Sequence, residues 1–161
     1  MKSNFIKISL CFLCLLFLNA CNNKQTVTSS YYTYKTECLG VELDGSQTLR
    51  AWGTGKNKKD AIEQAKKNAI HDILFQGIHD GQSKCSVKPL LTEVNAADKY
   101  EDYFNAFFQD KGSYQTFVSR EENGRTTRIQ EANKNQLKYG IVVRVFRSEL
   151  KRRLQADGIL K

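Results

Sequence analysis

Histidine is scarce in this 161-residue chain, which has only His71 and His79, and proline and tryptophan occur once each. Neither histidine sits in an HExxH pattern or beside a CxxC pair, so the common zinc signatures are missing. A zinc site built from His79, Cys85 and Cys38 would have three ligands at irregular spacing, and no metal is expected. A cysteine hydrolase needs a thiolate beside a histidine base. Cys85 and His79 stand six positions apart, which keeps a thiol-dependent enzyme as the weakest of the functional readings. Long apolar runs are also lacking: the longest, Ile8 to Leu18, is too short to span a bilayer as a stable helix. Gly53-Thr54-Gly55-Lys56 resembles part of a phosphate loop without the full GxxxxGK[ST] spacing, so its glycines are read as making a strand-to-helix turn. The chain is therefore expected to be neither an enzyme nor a holder of a conventional cofactor.

What is present begins at the N-terminus. Lys2 and Lys7 precede the apolar run, and the run closes on Leu18-Asn19-Ala20-Cys21. Charge, apolar length and small residues in this order resemble a bacterial lipoprotein signal, with cleavage between Ala20 and Cys21 and a diacylglycerol on the Cys21 sulfur. Residues 1–20 are thus expected to be removed, 21–30 to form a lipidated cysteine with a polar tether, and 31–161 to form one domain. The rival is an ordinary secretory signal that ends near a cysteine. Cys11 and Cys14 leave with the signal, so Cys38 and Cys85 remain. In an oxidising compartment the pair suggests one disulfide; two separate, partly buried thiols are the alternative. Asn22, in place of an aspartate, points to outer-membrane placement in hosts that sort lipoproteins by that residue, with the periplasmic or surface face left open.

The domain alternates its patterns. Tyr32, Tyr34, Thr36 and Cys38 keep strand spacing toward Leu43; Asp44-Gly45 reads as a two-residue hairpin turn, with a return strand over 46–53. Asn57 with Asp60 opens a helix carrying Ile62, Ala65, Ala69, Ile70, Ile73 and Leu74 on one face and Glu63, Lys66, Lys67 and Asp72 on the other, with Gly77 as its stop. The stretch from His79 to Thr92 reads as a connection. Asn95 and Asp98 open a second helix with a Tyr100, Tyr103, Phe104, Phe107 and Phe108 stripe, read as core in preference to a carbohydrate platform. Residues 114–120 read as a strand, Asn123-Gly124 as a turn, 125–138 as an exposed arm or loop, and Tyr139 to Val145 as the strongest strand. Ser148 is expected to cap a last helix that ends at Gly158. This order predicts an α+β two-layer sandwich, with helices on one face of a mostly antiparallel sheet.

Net charge is +8, and loss of Lys2 and Lys7 lowers it to +6. Much of the excess lies in the last third, where Arg144, Arg147, Lys151, Arg152 and Arg153 are candidates for an anion-binding surface; scattering of these charges over several solvated faces is the competing view. Nucleic acid is not expected as a partner of an exported protein.

The segment Leu49-Arg50-Ala51-Trp52-Gly53-Thr54-Gly55, followed by Asp60-Ala61, Ala65 and Ala69-Ile70, resembles the strand, glycine turn and alanine-spaced helix of the LPP-twenty and FlgT N-terminal group of small envelope lipoproteins. The late strand from Tyr139 to Val145 and the short helix after it are similar to the same pattern. The resemblance implies a non-catalytic envelope domain serving as a subunit or assembly aid of a larger apparatus. The aromatic helix and the two cysteines depart from the group, which leaves the apparatus open. The expected function is a membrane-anchored interaction or assembly module of the cell envelope. Its partners are membrane lipid through Cys21 and an envelope protein, and the alternative is a module that binds peptidoglycan, another glycan or a polyanion.

Overall fold

The computed structural model describes residues 35–85, 88–119, 127–129 and 136–161. The expected signal segment, Cys21, the expected tether and the expected Asn123-Gly124 turn lie outside them. The described strands are β1 (Glu37–Val41), β2 (Gln47–Gly55), β3 (Asp80–Gly81), β4 (Thr127–Ile129) and β5 (Leu137–Val145); the helices are α1 (Lys58–His71), α2 (Ala96–Lys99), α3 (Glu101–Phe108) and α4 (Arg147–Ala156). The fold is α+β. Its sheet runs β3-β1-β2-β5-β4, antiparallel throughout except for the short β1–β3 pair.

The β1–β2 turn is one residue longer than its sequence suggested. Glu42 donates its amide to the Ser46 carbonyl, and Leu43-Asp44-Gly45 forms the loop, with Gly45 at φ 79° and Asp44 Oδ1 accepting from the Ser46 amide and hydroxyl. A three-residue loop closing on a left-handed glycine suits the strand twist as well as a two-residue turn does.

Along β2, Leu49, Ala51 and Gly53 face the core, and Tyr139, Ile141, Val143 and Val145 do the same on β5. Helix α1 lies across both strands. Ala61, Ala65 and Ala69 are fully buried against them, and Gly53 is where the helix comes closest: a Cβ there would overlap Ala61 O and Ala65 N and lie 2.9 Å from Ala65 Cα. Gly53 and Gly55 both lie inside the strand, where they make room for the helix, and the turn of the chain follows them. Asn57 caps α1 as expected, its Oδ1 accepting from the Asp60 amide at 3.0 Å.

Beyond His71 the helix widens into a π turn over Asp72–Gln76 and stops at Gly77, whose φ is 77°. Asp72 donates its amide to the Asn68 carbonyl in the α-helical pattern and, three residues after Ala69, lies on the alanine face, so it enters the core and not the polar face expected of it. The expected second helix is two: α2 and α3 meet at Tyr100, and Asn95 adopts a left-handed conformation with no side-chain cap. Residues 113–117 form a 3-10 helix instead of a strand, and only Val118 bridges to Val145. Tyr114 and Phe117, three apart, share one side of that turn and both enter the core, which an extended strand would not permit. Ser148 lies within α4 and does not cap it; Phe146 precedes the helix, Leu150 and Leu154 are buried, and Gly158 (φ 72°) ends it.

Cys38 and Cys85 lie at disulfide distance, with Cα atoms 6.1 Å apart. The pair ties β1 to the connection after α1, where β3 adds two residues to the sheet edge.

Candidate functional site

Where β2 leaves the sheet, the chain opens a cleft of about 740 Å³, within the size range of small-molecule sites. Its floor is Thr54, Gly55 and Lys56; one wall is the first turns of α1 (Lys59, Asp60, Glu63, Gln64, Lys67), and the other is Asp110, Lys111, Tyr114 and Gln115. Asn57 sets the direction of α1 here, and the 3-10 turn carries Tyr114 across from the other side.

Tyr114 is the anchor of the far wall. Its hydroxyl donates to Glu63 Oε2 at 2.7 Å, its ring packs on Phe108, and Lys67 Nζ lies 5.4 Å from the ring centroid. Glu63 also accepts from Lys66 at 2.9 Å and from Gln115 at 3.3 Å. Burial pushes the Glu63 carboxyl up, but the hydrogen bond from Tyr114 and the bond and charge of Lys66 outweigh burial and hold it below the ordinary value. Burial, with the bond to Glu63, pushes the Tyr114 hydroxyl up to about 12. At neutral pH the pair is therefore a fixed phenol and carboxylate. Such a pair suits holding a ligand, since neither member is poised to give up or take a proton near neutrality.

The other charges divide clearly. Lys67 pairs with Asp110 at 3.1 Å, and Asp60 accepts from the Asn57 amide at 2.8 Å. Lys56, Lys59 and Lys111 have no hydrogen-bonded or ion-paired partner among the described residues. Among the described residues Lys111 is one of two non-glycine residues with positive φ, at 63°, so the tight turn after α3 sets a lysine on the rim.

The basic residues expected to form an anion-binding surface are not gathered into one free patch. Arg144 is half-buried on β5, Arg147 donates to the Lys88 carbonyl at 3.0 Å, Arg152 lies 3.9 Å from Glu149, and Arg153 is held by Asp157 at 2.6 Å. Lys151 is exposed. The aromatic stripe is core: Phe104 and Phe107 are buried and stack against Phe75, Phe108 and Phe117. His79 is exposed, with Nε2 3.1 Å from the Gln76 carbonyl. As a disulfide, Cys38 and Cys85 offer no thiolate to a metal or a substrate. No helix among the described residues is long and apolar enough to cross a membrane.

One buried ionisable group departs from the polar face expected of it. Asp72 is 5 % exposed; Thr36 donates its hydroxyl to Oδ2, while Oδ1 is buried without a hydrogen-bond partner, 3.9 Å from His71 Nδ1. Burial raises its pKa to about 7 from 3.8. The folded protein thus holds a proton between about pH 4 and pH 7 that the unfolded chain has released, so this contribution to stability is full below pH 4 and is lost as pH rises to 7. His71, lowered by burial from 6.5, acts in the opposite sense, its contribution being lost as pH falls. Asp72→Asn is expected to abolish the decline toward neutral pH and to leave the weaker histidine slope, reversed in sign. Urea unfolding near pH 5 and near pH 8 measures both slopes; Asp72 is expected to cost the wild type roughly 2–3 kcal/mol between them, offset in part by the histidine gain. A wild type more stable near pH 8 than near pH 5 would contradict this.

In comparisons with known protein families, curated proteins and solved structures, the chain matches none.

Proposed function

We propose that this chain is a lipid-anchored, non-catalytic interaction module of the bacterial cell envelope, acting as a scaffold or assembly subunit. The observation that carries the reading is the N-terminal order of two lysines, a short apolar run and Leu18-Asn19-Ala20-Cys21, which makes Cys21 the lipid-bearing first residue of the mature chain. The cleft agrees with a binding role, because its half-buried carboxylate, Glu63, is saturated by donors and its rim lysines are free to meet a ligand. The strand, glycines and alanine-spaced helix that resemble the LPP-twenty and FlgT N-terminal group also form the packing centre of this fold. A polyanion-binding role is the second reading, favoured by Lys56, Lys59 and Lys111.

Cys21→Ala is expected to abolish signal cleavage at Ala20–Cys21 and shift the protein out of the detergent-soluble membrane fraction in its lipidated form. Mass spectrometry of the N-terminal peptide, with and without lipid, reads the first; fractionation reads the second. A Cys21→Ala protein still cleaved at that bond and still pelleting with membranes would overturn the anchor. Failure to recover any protein partner under mild crosslinking of the tethered wild type would count against the scaffold role.

A further inference from the structure

We infer that the lysine-rimmed cleft faces the membrane that holds Cys21 and takes the phosphate of an anionic phospholipid headgroup; the inference rests on the lipid anchor proposed above. Direction is the first support. Glu37 lies opposite Arg50 and Val41 opposite Gln47, so the chain comes into β1 from the side of the sheet where β2 ends, and that is where the cleft opens. Lys35 stands fourteen positions after Cys21, a reach of at most about 50 Å. The basic helix α4 follows Val145, which pairs with Gln47, so it starts from the opposite end of the sheet. Among the described residues, the cleft lies at the end of the sheet where β1 begins, and α4 begins at the other end.

Charge is the second support. Glu63 and Asp110 are neutralised by Lys66 and Lys67 within the domain, which leaves Lys56, Lys59 and Lys111 as the free charges with Asp60 alone against them. The positive end of α1 adds to their field. The shape of the lining narrows the ligand further. Ammonium, hydroxyl and amide groups line the cleft together with the carboxylates of Asp60, Glu63 and Asp110, of which the last two are paired, and its single aromatic ring is covered by Lys67 and Phe108. A sugar ring finds no open face to stack on, because Tyr114 is buried. A phosphate with its polar glycerol fits this chemistry, and an anionic leaflet presents such groups at high density, so the second contact would orient the domain that the lipid only tethers.

The test uses the full lipidated protein reconstituted in vesicles of phosphatidylcholine alone or mixed with phosphatidylglycerol, with lysine acetylation rates read by mass spectrometry. Acetylation of Lys56, Lys59 and Lys111 is expected to slow roughly five-fold in the anionic vesicles and to recover at high salt, while Lys151 is unchanged. Lys59→Glu should remove most of the protection at Lys56 and Lys111. Equal rates in both vesicles, with the protein still vesicle-bound, overturn the inference and leave the anchor standing. Protein that does not stay on either vesicle overturns both. Protection in neutral vesicles by inorganic phosphate, or by a soluble carboxylated polysaccharide, with no effect of phosphatidylglycerol, overturns it in favour of a free-anion or polyanion site.

Discussion

Gly53→Ala is expected to destabilise the protein by about 3 kcal/mol or more, which for a domain of this size lowers Tm by roughly 10 °C. The reason is what the added methyl would meet. Ala61 O and Ala65 N are backbone atoms of α1, and no rotamer change can move them aside. Either α1 lifts off β2 and β5, opening the layer in which Ala61, Ala65, Ala69 and Ile70 are fully buried, or the strand bends away. Both routes disturb the largest helix–sheet contact of the domain. Gly40→Ala is the control: nothing lies within 4 Å of a Cβ there, and a small gain or no change is expected, because alanine restricts the unfolded chain more than glycine does. Thermal unfolding of the two variants side by side checks this. Equal midpoints would mean that the close approach of α1 has been misread.

Gly53 also illustrates what could be read in the chain before its fold was known. Local chemistry was legible: the Asp44-Gly45 turn, the Asn57 cap, the alanine face of α1, and the β-branched run of β5 each depend on neighbours in sequence. Features that depend on distant contacts were not. Asp72 follows Ala69 by three and shares the alanine face, but that Thr36 meets its carboxyl there could not be read from the spacing. Tyr114 alternates like a strand residue, yet its hydroxyl bond to Glu63, 51 positions away, favours the 3-10 turn that delivers it. Tyr100 (φ −114°) breaks the aromatic helix so that Phe104 and Phe107 can reach the core, a choice set by packing against Phe75 and Phe117. The cleft has the same character: its glycines and Lys56 were visible as a group, but its far wall comes from a segment more than fifty residues later, so its local motif carried no sign of a ligand.

Loss of the Cys38–Cys85 link is expected to cost about 4 kcal/mol, from the 47-residue separation it closes, and to lower Tm by roughly 15 °C. The structure says where that loss would be felt first. Between Gly77 and Cys85 the chain has little secondary structure of its own: β3 is two residues long, and Gln82 N to Cys38 O, at 2.8 Å, is its chief bond to the β1 edge. Gly81 sits so close to the Cys38 backbone, at φ 101°, that only a glycine fits. Two residues of parallel pairing cannot hold a strand by themselves, so the sulfur link is what keeps β3 on the sheet. The expected result is therefore uneven. In a Cys38→Ala/Cys85→Ala protein, amide exchange should rise first from Asp80 to Cys85, while α1 and β5 stay protected until global unfolding. Single Cys38→Ala should behave no better than the double variant, because it leaves the Cys85 thiol unpaired beside an emptied, buried position. Non-reducing peptide mapping of the wild type should return Cys38 and Cys85 in one linked peptide. A urea midpoint that does not move on reduction would show that the edge is held by packing alone, and that the two sulfurs are neighbours without being a staple.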